Sequence, residues 1–317
     1  MALGKYKEYI KKVLGGRFCA DEGNYSWGND YPDKTFMVIR RGASYVGLYS
    51  YVSTNLGWIK VADEMGYIPV IDMKNYSNPY LKSGEVRKKN AWEFFYKQPG
   101  GYTLDDIKHC KNVVLSGTGV PPTYPSIYMY RDGSLKEWYD LFNKYIEIVP
   151  DIKEEIDATE GMIKRDHKRV IGVNIRGTDY TAMKPLGHPV QPTIDEAITR
   201  TKEKMAEWEG DAIYLATEDE SIVERFLAEF GSCVILPNGK RYDYRKPHKE
   251  LIIHNSFDRE NDEYLRGREY LVKIGVLSRM DYIISSFMGS TYGMSLMNMN
   301  YKGEYYWDLG VYTKENG

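Results

Sequence analysis

Three short polar segments of the C-terminal half follow apolar runs and carry groups that could bind an anion. They are residues 176–179 (Arg-Gly-Thr-Asp), 217–219 (Thr-Glu-Asp) and 286–291 (Ser-Phe-Met-Gly-Ser-Thr). If the apolar runs are parallel strands, the segments meet at one edge of a sheet. A guanidinium, carboxylates, hydroxyls and a helix N-terminus then suit a ligand with phosphate and a sugar or base. The residues alone leave open the alternative that Arg176 pairs with Asp179 or Asp219 as a structural ion pair.

The C-terminal half alternates apolar runs with helical stripes. Thr193 and Glu196 have the spacing of a capping box at the start of one stripe. Two further stripes lie at residues 222–230 and 264–279. The predicted strands are RVIGVNI, DAIYLA, CVILP and DYIIS. This alternation indicates a parallel sheet covered by helices. The residues 238–262 lack periodicity and predict a long loop, a feature that is often functional.

The N-terminal half shows the same alternation. Its predicted strands are TFMVIRR, YIPVIDM and NVVLS. After a glycine-containing loop, Gly66 ends a predicted helix. The apolar face of that helix consists of Val52, Leu56, Ile59, Ala62 and Met65. We expect an α/β protein with two facing doubly wound, Rossmann-like domains and a ligand in the crevice beyond the strand ends. Because Pro150 interrupts a helical stretch, we place the domains at residues 1–155 and 156–317.

The composition limits the setting and the class of partner. Among 317 residues, 43 basic and 45 acidic ones are well mixed, and the net charge of −2 gives no general field for nucleic acid. The three cysteines are odd in number and far apart, which favours a reducing, cytoplasmic setting over a disulfide framework. No apolar run reaches the length of a membrane span. The N-terminal MALGKYKEYIKKVLGG predicts an amphipathic helix packed on a globular body, with weak contact at the inner face of a membrane as the less favoured interpretation.

The sequence lacks the motifs of several enzyme classes. It has no G-x-x-x-x-G-K-[ST] loop, no G-x-G-x-x-G after its first strands and no nucleophile elbow. A P-loop kinase, a nicotinamide enzyme of the usual kind and an α/β-hydrolase are therefore not indicated. The five histidines lack the spacing of metal ligands. We predict no metal and no bound cofactor.

Three segments resemble conserved blocks of the α1,6- and protein O-fucosyltransferases. VNIRGTDYTAMKPLGHPV is similar to their arginine motif, H-x-R-R-x-D, which a His-Pro pair follows in the α1,6 branch. IYLATEDE resembles their acidic loop, Y-L-A-T-D-D. LRGREYLVKIGVLSRMDYIISSFMGSTYG resembles their last block, which runs from a helix into a strand and a serine-rich loop. The N-terminal half resembles their glycine-rich loop and following helix more loosely.

The resemblance implies a GT-B type, metal-independent, inverting glycosyltransferase. Its C-terminal domain would hold the nucleotide sugar and its N-terminal domain the acceptor. In this interpretation Arg176 grips the β-phosphate, Asp179 orients the arginine or its loop, and Asp219 shapes the nucleotide pocket. The other donor-binding residues that it implies are Gly47, Gly289, Ser290 and Thr291. A guanidinium at this phosphate stabilises the departing diphosphate more than the ground state, which is what catalysis requires.

Several positions depart from the family pattern. Asn174 stands where the family has a histidine that helps to hold guanine, and Gly177 replaces the second arginine. The carboxylate that contacts the base falls on Lys273 or Leu271, which makes Glu269 the nearest acidic substitute. We predict that Asn174 and Glu269 contact the donor, and the departures leave the identity of the base open.

The residues do not assign a general base. Lys184 occupies the position of a glutamate proposed as base in the α1,6 enzymes. Asp72, at the end of a predicted strand, is one candidate. The favoured alternative is that its carboxylate caps the next turn, because aspartate is a common turn residue. His188 is a second candidate for substrate contact, and its alternative is a loop histidine braced by two prolines.

These features together predict a cytoplasmic enzyme of polysaccharide biosynthesis. It would transfer a sugar, with fucose from GDP-fucose as the first expectation, to a hydroxyl of a glycan or lipid-linked oligosaccharide. Two alternatives stay open. One is the same fold with another nucleotide sugar, which Asn174 favours, and the other is a non-catalytic glycan-binding protein. No nucleic-acid partner is expected.

Overall fold

The computed structural model describes residues 16–243 and 256–314, apart from the side chains of Thr178 and Asp179. The chain divides into two compact units. Unit 1 consists of Met1–Pro125 and Asp140–Val149, and unit 2 of Ser126–Tyr139 and Pro150–Gly317. The chain therefore changes unit three times, and the last change precedes the boundary expected at residue 155.

Unit 1 contains a four-stranded sheet in the order β1-β4-β2-β3. Its strands are β1 (Gly23–Tyr25), β2 (Asp30–Arg40), β3 (Ile68–Asp72) and β4 (Cys110–Leu115). Strand β2 runs parallel to both neighbours, with Phe36 opposite Ile68 and Val113. The three parallel strands are the three predicted ones. The antiparallel β1 was not predicted, because three residues are too short to show a period.

Helix α1 (Leu48–Glu64) follows the glycine-containing loop of unit 1 and packs on β2 and β3. Gly47 is its N-cap. The predicted apolar face is buried at Val52, Leu56, Ile59 and Ala62. The prediction for Met65 was wrong, since this residue is the C-cap and its side chain is exposed. Gly66 follows with φ +68°, the left-handed conformation that ends many helices.

Unit 2 contains a five-stranded sheet in the order β7-β6-β5-β8-β9, and every neighbouring pair is parallel. Its strands are β5 (Val170–Asn174), β6 (Ala212–Ala216), β7 (Val234–Ile235), β8 (Tyr282–Ser286) and β9 (Gly303–Trp307). The first four were predicted, and β9, the tyrosine-rich GEYYW, was not. The expected α/β class with two parallel-strand sheets is confirmed.

Unit 2 also contains helices, and several of them pack on this sheet. The helices are α2 (Tyr128–Arg131), α4 (Pro150–Asp166), α5 (Thr178–Met183), α6 (Ile194–Glu207), α7 (Glu220–Phe230), α8 (Asp262–Leu277) and α9 (Gly289–Met297), while α3 (Leu135–Tyr145) spans the second change of unit. In the core, Ile198 of α6 and Phe226 of α7 pack with the strand residues Ile171 and Ile213. The predicted capping box of Thr193 and Glu196 begins α6.

Two sequence predictions fall on residues that the structure does not describe. The amphipathic helix predicted at the N-terminus falls on residues 1–15, and 12 of the 25 residues of the loop predicted at 238–262 fall on 244–255. The described end of that loop pairs with the chain after β6, where Asp219 and Tyr242 form a bridge. No helix in residues 16–243 or 256–314 is long and apolar enough to cross a membrane.

Candidate functional site

The carboxyl edge of the unit 2 sheet has a topological switch point between β5 and β8. The chain proceeds from β5 to β6 and β7 on one side, and then to β8 and β9 on the other. Loops that leave the two central strands diverge there and leave a crevice in which α/β proteins bind ligands. The segments that begin at Arg176 and Ser286 follow these two strands directly. The sequence prediction that they meet at one edge is confirmed by the strand order.

Arg176 lies one residue beyond the last sheet contact of its strand. The backbone N–H of the buried Ile175 still donates to the carbonyl of Ala216. The guanidinium carbon of Arg176 lies 4.3 Å from the ring centre of Tyr180, four residues later. The hydroxyl of Tyr180 lies 2.7 Å from Nδ1 of His188. An aromatic face thus holds the cation, and the histidine holds the aromatic ring.

The side chain of Asn174 ties β5 to the loop that follows β8. Its Nδ2 donates to the hydroxyl oxygens of Ser285 and Ser290, at 3.0 and 3.1 Å, and more weakly to Thr291. The side chain is buried. The amide therefore fixes the position of the serine-rich loop, and its predicted contact with a nucleotide base stays a prediction.

The loop after β8 directs its hydroxyls into the protein. Ser290 and Thr291 are buried, and Oγ1 of Thr291 donates to the carbonyl of Ser286 at 2.5 Å. Helix α9 begins at Gly289, and the first N–H groups of a helix have no partner within the helix. The predicted contact of Gly289, Ser290 and Thr291 with phosphate stays a prediction. Both hydroxyls already bind inside the fold, and the backbone N–H of Thr291 donates to the carbonyl of Met288 at 3.0 Å.

The carboxylate of Asp219 lies close to the backbone of Gly177. Asp219 is the N-cap of α7, and its Oδ1 accepts from the backbone N–H of Ser221 at 2.9 Å. A Cβ at position 177 would overlap Oδ2 of Asp219 and lie 2.9 Å from Cδ1 of Ile222. A side chain at position 177 would therefore require Asp219 or Ile222 to shift. This packing accounts for a glycine where the arginine motif that the segment resembles has its second arginine.

An ion pair between Lys273 and Glu218, which was not predicted from the sequence, borders the same edge. Lys273 of α8 donates to Glu218 at 2.5 Å, and both side chains are largely buried. Tyr270, one turn earlier on α8, has its pKa raised by burial and by the Glu218 charge, against the opposing Arg176 charge. Tyr270 also hydrogen-bonds Ser290. Helical spacing links residues 270 and 273, but their partners, Ser290 of α9 and Glu218 in the loop after β6, cannot be found from spacing.

Three other predicted site residues are Glu269, Gly47 and Asp179. Glu269 accepts two hydrogen bonds from Arg259. Its carboxylate is therefore held by the segment before α8. Gly47 lies in unit 1 at the N-terminus of α1. The side chain of Asp179 lies outside the described residues, so its predicted role stays a prediction.

The base candidates of the sequence have structural partners. Oδ1 of the buried Asp72 accepts the backbone N–H groups of Lys74 and Asn75, both at 2.9 Å. This confirms the favoured interpretation that its carboxylate caps a turn. The ring of His188 contacts Tyr180, and its backbone N–H donates to the carbonyl of Pro185. Lys184 is the left-handed C-cap of α5.

No three histidine, cysteine, aspartate or glutamate side chains within the described ranges lie close enough together to hold a metal ion. The three cysteines, Cys19, Cys110 and Cys233, all lie within the described residues, and none of them forms a disulfide there.

The chain is similar in fold to solved fucosyltransferases. The NodZ α-1,6-fucosyltransferase co-crystallized with GDP has a TM-score of 0.53 at 13% identity, over 83% of this chain and 92% of that one. Fucosyltransferase NodZ from Bradyrhizobium has a TM-score of 0.47 at 15% identity, over 79% and 88% of the two chains. POFUT1 in complex with GDP has a TM-score of 0.46 at 12% identity, over 87% and 99%.

Sequence comparison adds no closer relative. No protein-family model matches the chain, and a search of curated proteins finds no match. The likeness to NodZ at 13% identity concerns the fold. The α/β fold that the resemblance implied is shared with this solved structure.

Proposed function

We propose that this chain is an inverting glycosyltransferase that moves fucose from GDP-fucose to a hydroxyl of a glycan. The observation that carries the proposal is the position of Arg176, at the carboxyl end of β5 and at the switch point of the unit 2 sheet. The fold shared with a GDP-bound fucosyltransferase supports it.

In this proposal Arg176 binds the β-phosphate of the donor. As the glycosidic bond breaks, the sugar gains positive charge and the nucleoside diphosphate leaves with additional negative charge. A guanidinium that forms two parallel N–H···O bonds to that phosphate stabilises the leaving group most in the transition state. Because the ring of Tyr180 already holds the guanidinium, little reorganisation is needed when charge develops.

The first turn of α9 supplies the second part of the proposed phosphate site. Backbone N–H groups at a helix N-terminus favour anions, and this helix starts directly after β8. Asn174 holds the loop in place through Ser285 and Ser290. The conformation of the loop is therefore set before a ligand arrives.

A second candidate keeps the reaction and changes the nucleotide. Asn174 stands in place of the family histidine, and its side-chain amide donates to the serine-rich loop. Lys273 is paired with Glu218. Both positions that would recognise guanine in the family are thus engaged within the chain. These observations favour a different base, while the phosphate site stays the same.

A thermal-shift panel of GDP, UDP, ADP and CMP separates the two candidates. At 100 times its dissociation constant, a ligand that binds only the folded chain stabilises it by about 2.7 kcal/mol. Stabilisation by GDP alone supports the first candidate, and stabilisation by another nucleotide supports the second. If none stabilises the chain but an oligosaccharide does, the protein is a glycan-binding module and the transferase proposal is rejected.

The setting and acceptor belong to the same proposal. The three cysteines form no disulfide within the described residues, which suits the reducing, cytoplasmic location expected from the sequence. The acceptor is a glycan or lipid-linked oligosaccharide of a surface polysaccharide.

A further inference from the structure

Two adjacent arginines lie at the end of β2 in unit 1, and their surroundings differ. Arg40 is the last residue of the strand and Arg41 follows it. Arg40 is 2% exposed. Its Nε donates to the carbonyl of Ser116 at 2.8 Å, and its Nη1 donates to the carbonyls of Ala20 and Phe18 at 2.6 and 3.1 Å. Every nitrogen of this guanidinium, including Nη2, which also reaches Ser116, has a backbone acceptor. Arg40 is a structural residue that joins three segments of unit 1.

Arg41 has the opposite character. Its Nε and Nη1 atoms are buried and have no hydrogen-bond partner among the described residues. The guanidinium carbon lies 6.0 Å from the ring centre of Tyr51, and Tyr124 also lies near enough to affect it. Burial lowers the pKa of Arg41 from its ordinary value. A desolvated cation with unused donors destabilises a fold, and these donors can bind an anionic ligand.

The surroundings of Arg41 are those of a ligand site. Unit 1 has its own switch point, because the chain goes from β2 to β3 on one side and then to β4 on the other. Arg41 begins the loop after β2. The N–H of Gly42 donates to the carbonyl of Thr118 at 2.9 Å, which joins this loop to the one after β4. The rule that ligands bind at switch points therefore applies to Arg41 as it does to Arg176.

These two joined loops also expose apolar surface. The exposed fractions are 68% for Tyr45, 56% for Val120 and 38% for Tyr124. Aromatic faces suit the apolar side of a sugar ring, and a guanidinium suits a carboxylate or phosphate. The combination is characteristic of a binding site for an acidic sugar.

We propose that unit 1 binds an acidic acceptor glycan, with Arg41 forming two hydrogen bonds to a carboxylate or phosphate group of the glycan and the loop tyrosines contacting its sugar rings. This inference rests on the proposed transferase function and narrows its acceptor class. Uronic acid residues and phosphorylated sugars offer the same oxyanion geometry, so the experiment must separate them.

The test uses the full chain on an array of oligosaccharides in matched neutral, uronic acid and phosphorylated forms. We expect binding to one or both acidic forms over the neutral one, and a loss of at least about tenfold in affinity in Arg41→Gln. Arg165→Gln, which removes an exposed arginine on α4, is the charge-matched control and should bind as the wild type does. Uronate or phosphate preference identifies the source of the oxyanion. Equal binding of neutral and acidic forms, no glycan binding, or unchanged binding in Arg41→Gln overturns the proposal.

A second measurement shows that the loss is not a folding defect. Arg41→Gln should melt at the wild-type temperature or above, because it removes a desolvated charge. It should also keep the stabilisation by nucleotide. Loss of nucleotide stabilisation in Arg41→Gln alone would assign Arg41 to the donor and overturn the acceptor role. Absence of nucleotide stabilisation in the wild type would reject the transferase function and leave the glycan site standing.

Discussion

Arginines lie at the carboxyl edges of both sheets, at the end of β2 in unit 1 and after β5 in unit 2, but their neighbours differ. At the unit 2 edge, Asn174 and the hydroxyls of the serine-rich loop bind one another, and Arg176 rests on Tyr180. At the unit 1 edge, Arg40 is enclosed by carbonyls while Arg41 keeps buried nitrogens without partners in the described residues. The residue type at a strand end therefore does not determine its role. The role follows from which neighbours satisfy its hydrogen bonds.

The largest expected effect is at Arg176. Arg176→Ala should lower transfer by roughly 10²- to 10³-fold, because it removes a charge that stabilises the leaving diphosphate. The chain should stay folded, since the guanidinium lies at a strand end. Initial rates with labelled donor, together with melting curves, check both parts. Full activity in a folded Arg176→Ala protein would remove the basis of the proposed mechanism and make the unit 2 edge structural.

The two arginines of unit 1 should differ in stability. Arg40→Gln leaves the carbonyls of Phe18, Ala20 and Ser116 short of donors, so it should cost about 2–4 kcal/mol. It also removes a cation that partly opposes the rise that burial causes in the pKa of Asp72. Arg41→Gln should not destabilise the chain. Urea unfolding of the two variants, side by side, measures the difference. Equal losses would erase the contrast between a structural and a ligand-binding arginine.

A smaller effect is expected at Gly177. Gly177→Ala should destabilise unit 2 by about 1–2 kcal/mol, because its Cβ overlaps the carboxylate that caps α7. Gly161→Ala is the matched control: it lies inside α4 with open space around it and should stabilise the chain by about 0.5–1 kcal/mol. Opposite shifts in urea midpoint support the packing explanation. A neutral Gly177→Ala would show that a side chain is tolerated beside Asp219.

The smallest effect on catalysis is expected at Asp72. Asp72→Asn should leave the transfer rate unchanged, because the carboxylate is buried and its oxygen binds the backbone of Lys74 and Asn75. An asparagine oxygen can accept the same two bonds. Steady-state kinetics, with circular dichroism to verify folding, provide the measurement. A folded variant that loses activity by orders of magnitude would restore Asp72 as the general base.

The sequence predicts most of the fold because its signals are local. Apolar runs, helical stripes and glycines identify seven strands of the two sheets, the presence of α1 and the start of α6. The strands that were missed, β1 and β9, carry no such signal: one has three residues and the other is rich in tyrosine. Met65 continues the stripe of α1 but lies at its end, where the helix geometry stops.

The site is predictable only in part, because roles depend on contacts across the chain. The positions of Arg176 and the serine-rich loop follow from strand order. The partners of Asn174 lie more than a hundred residues later, at positions 285 and 290. Lys273 and Glu218 are separated by 55 residues, and nothing local pairs them. Arg40 and Arg41 are identical neighbours in the sequence. Their roles differ because backbone carbonyls accept from the guanidinium of Arg40 and not from Nε and Nη1 of Arg41.

The three changes of unit along the chain have a consequence during synthesis. Tyr130 belongs to unit 2, where its ring packs on Phe287 and Tyr306 and its hydroxyl donates to Ser295. Its hydrogen-bond partner emerges from the ribosome 165 residues later. At 5–20 residues per second that delay is roughly 8 to 33 seconds. The chain of unit 1 is complete once Val149 has emerged. The first segment of unit 2, Ser126–Tyr139, by then lacks the later residues that bury the ring of Tyr130. Segments in this condition are the ones that chaperones bind.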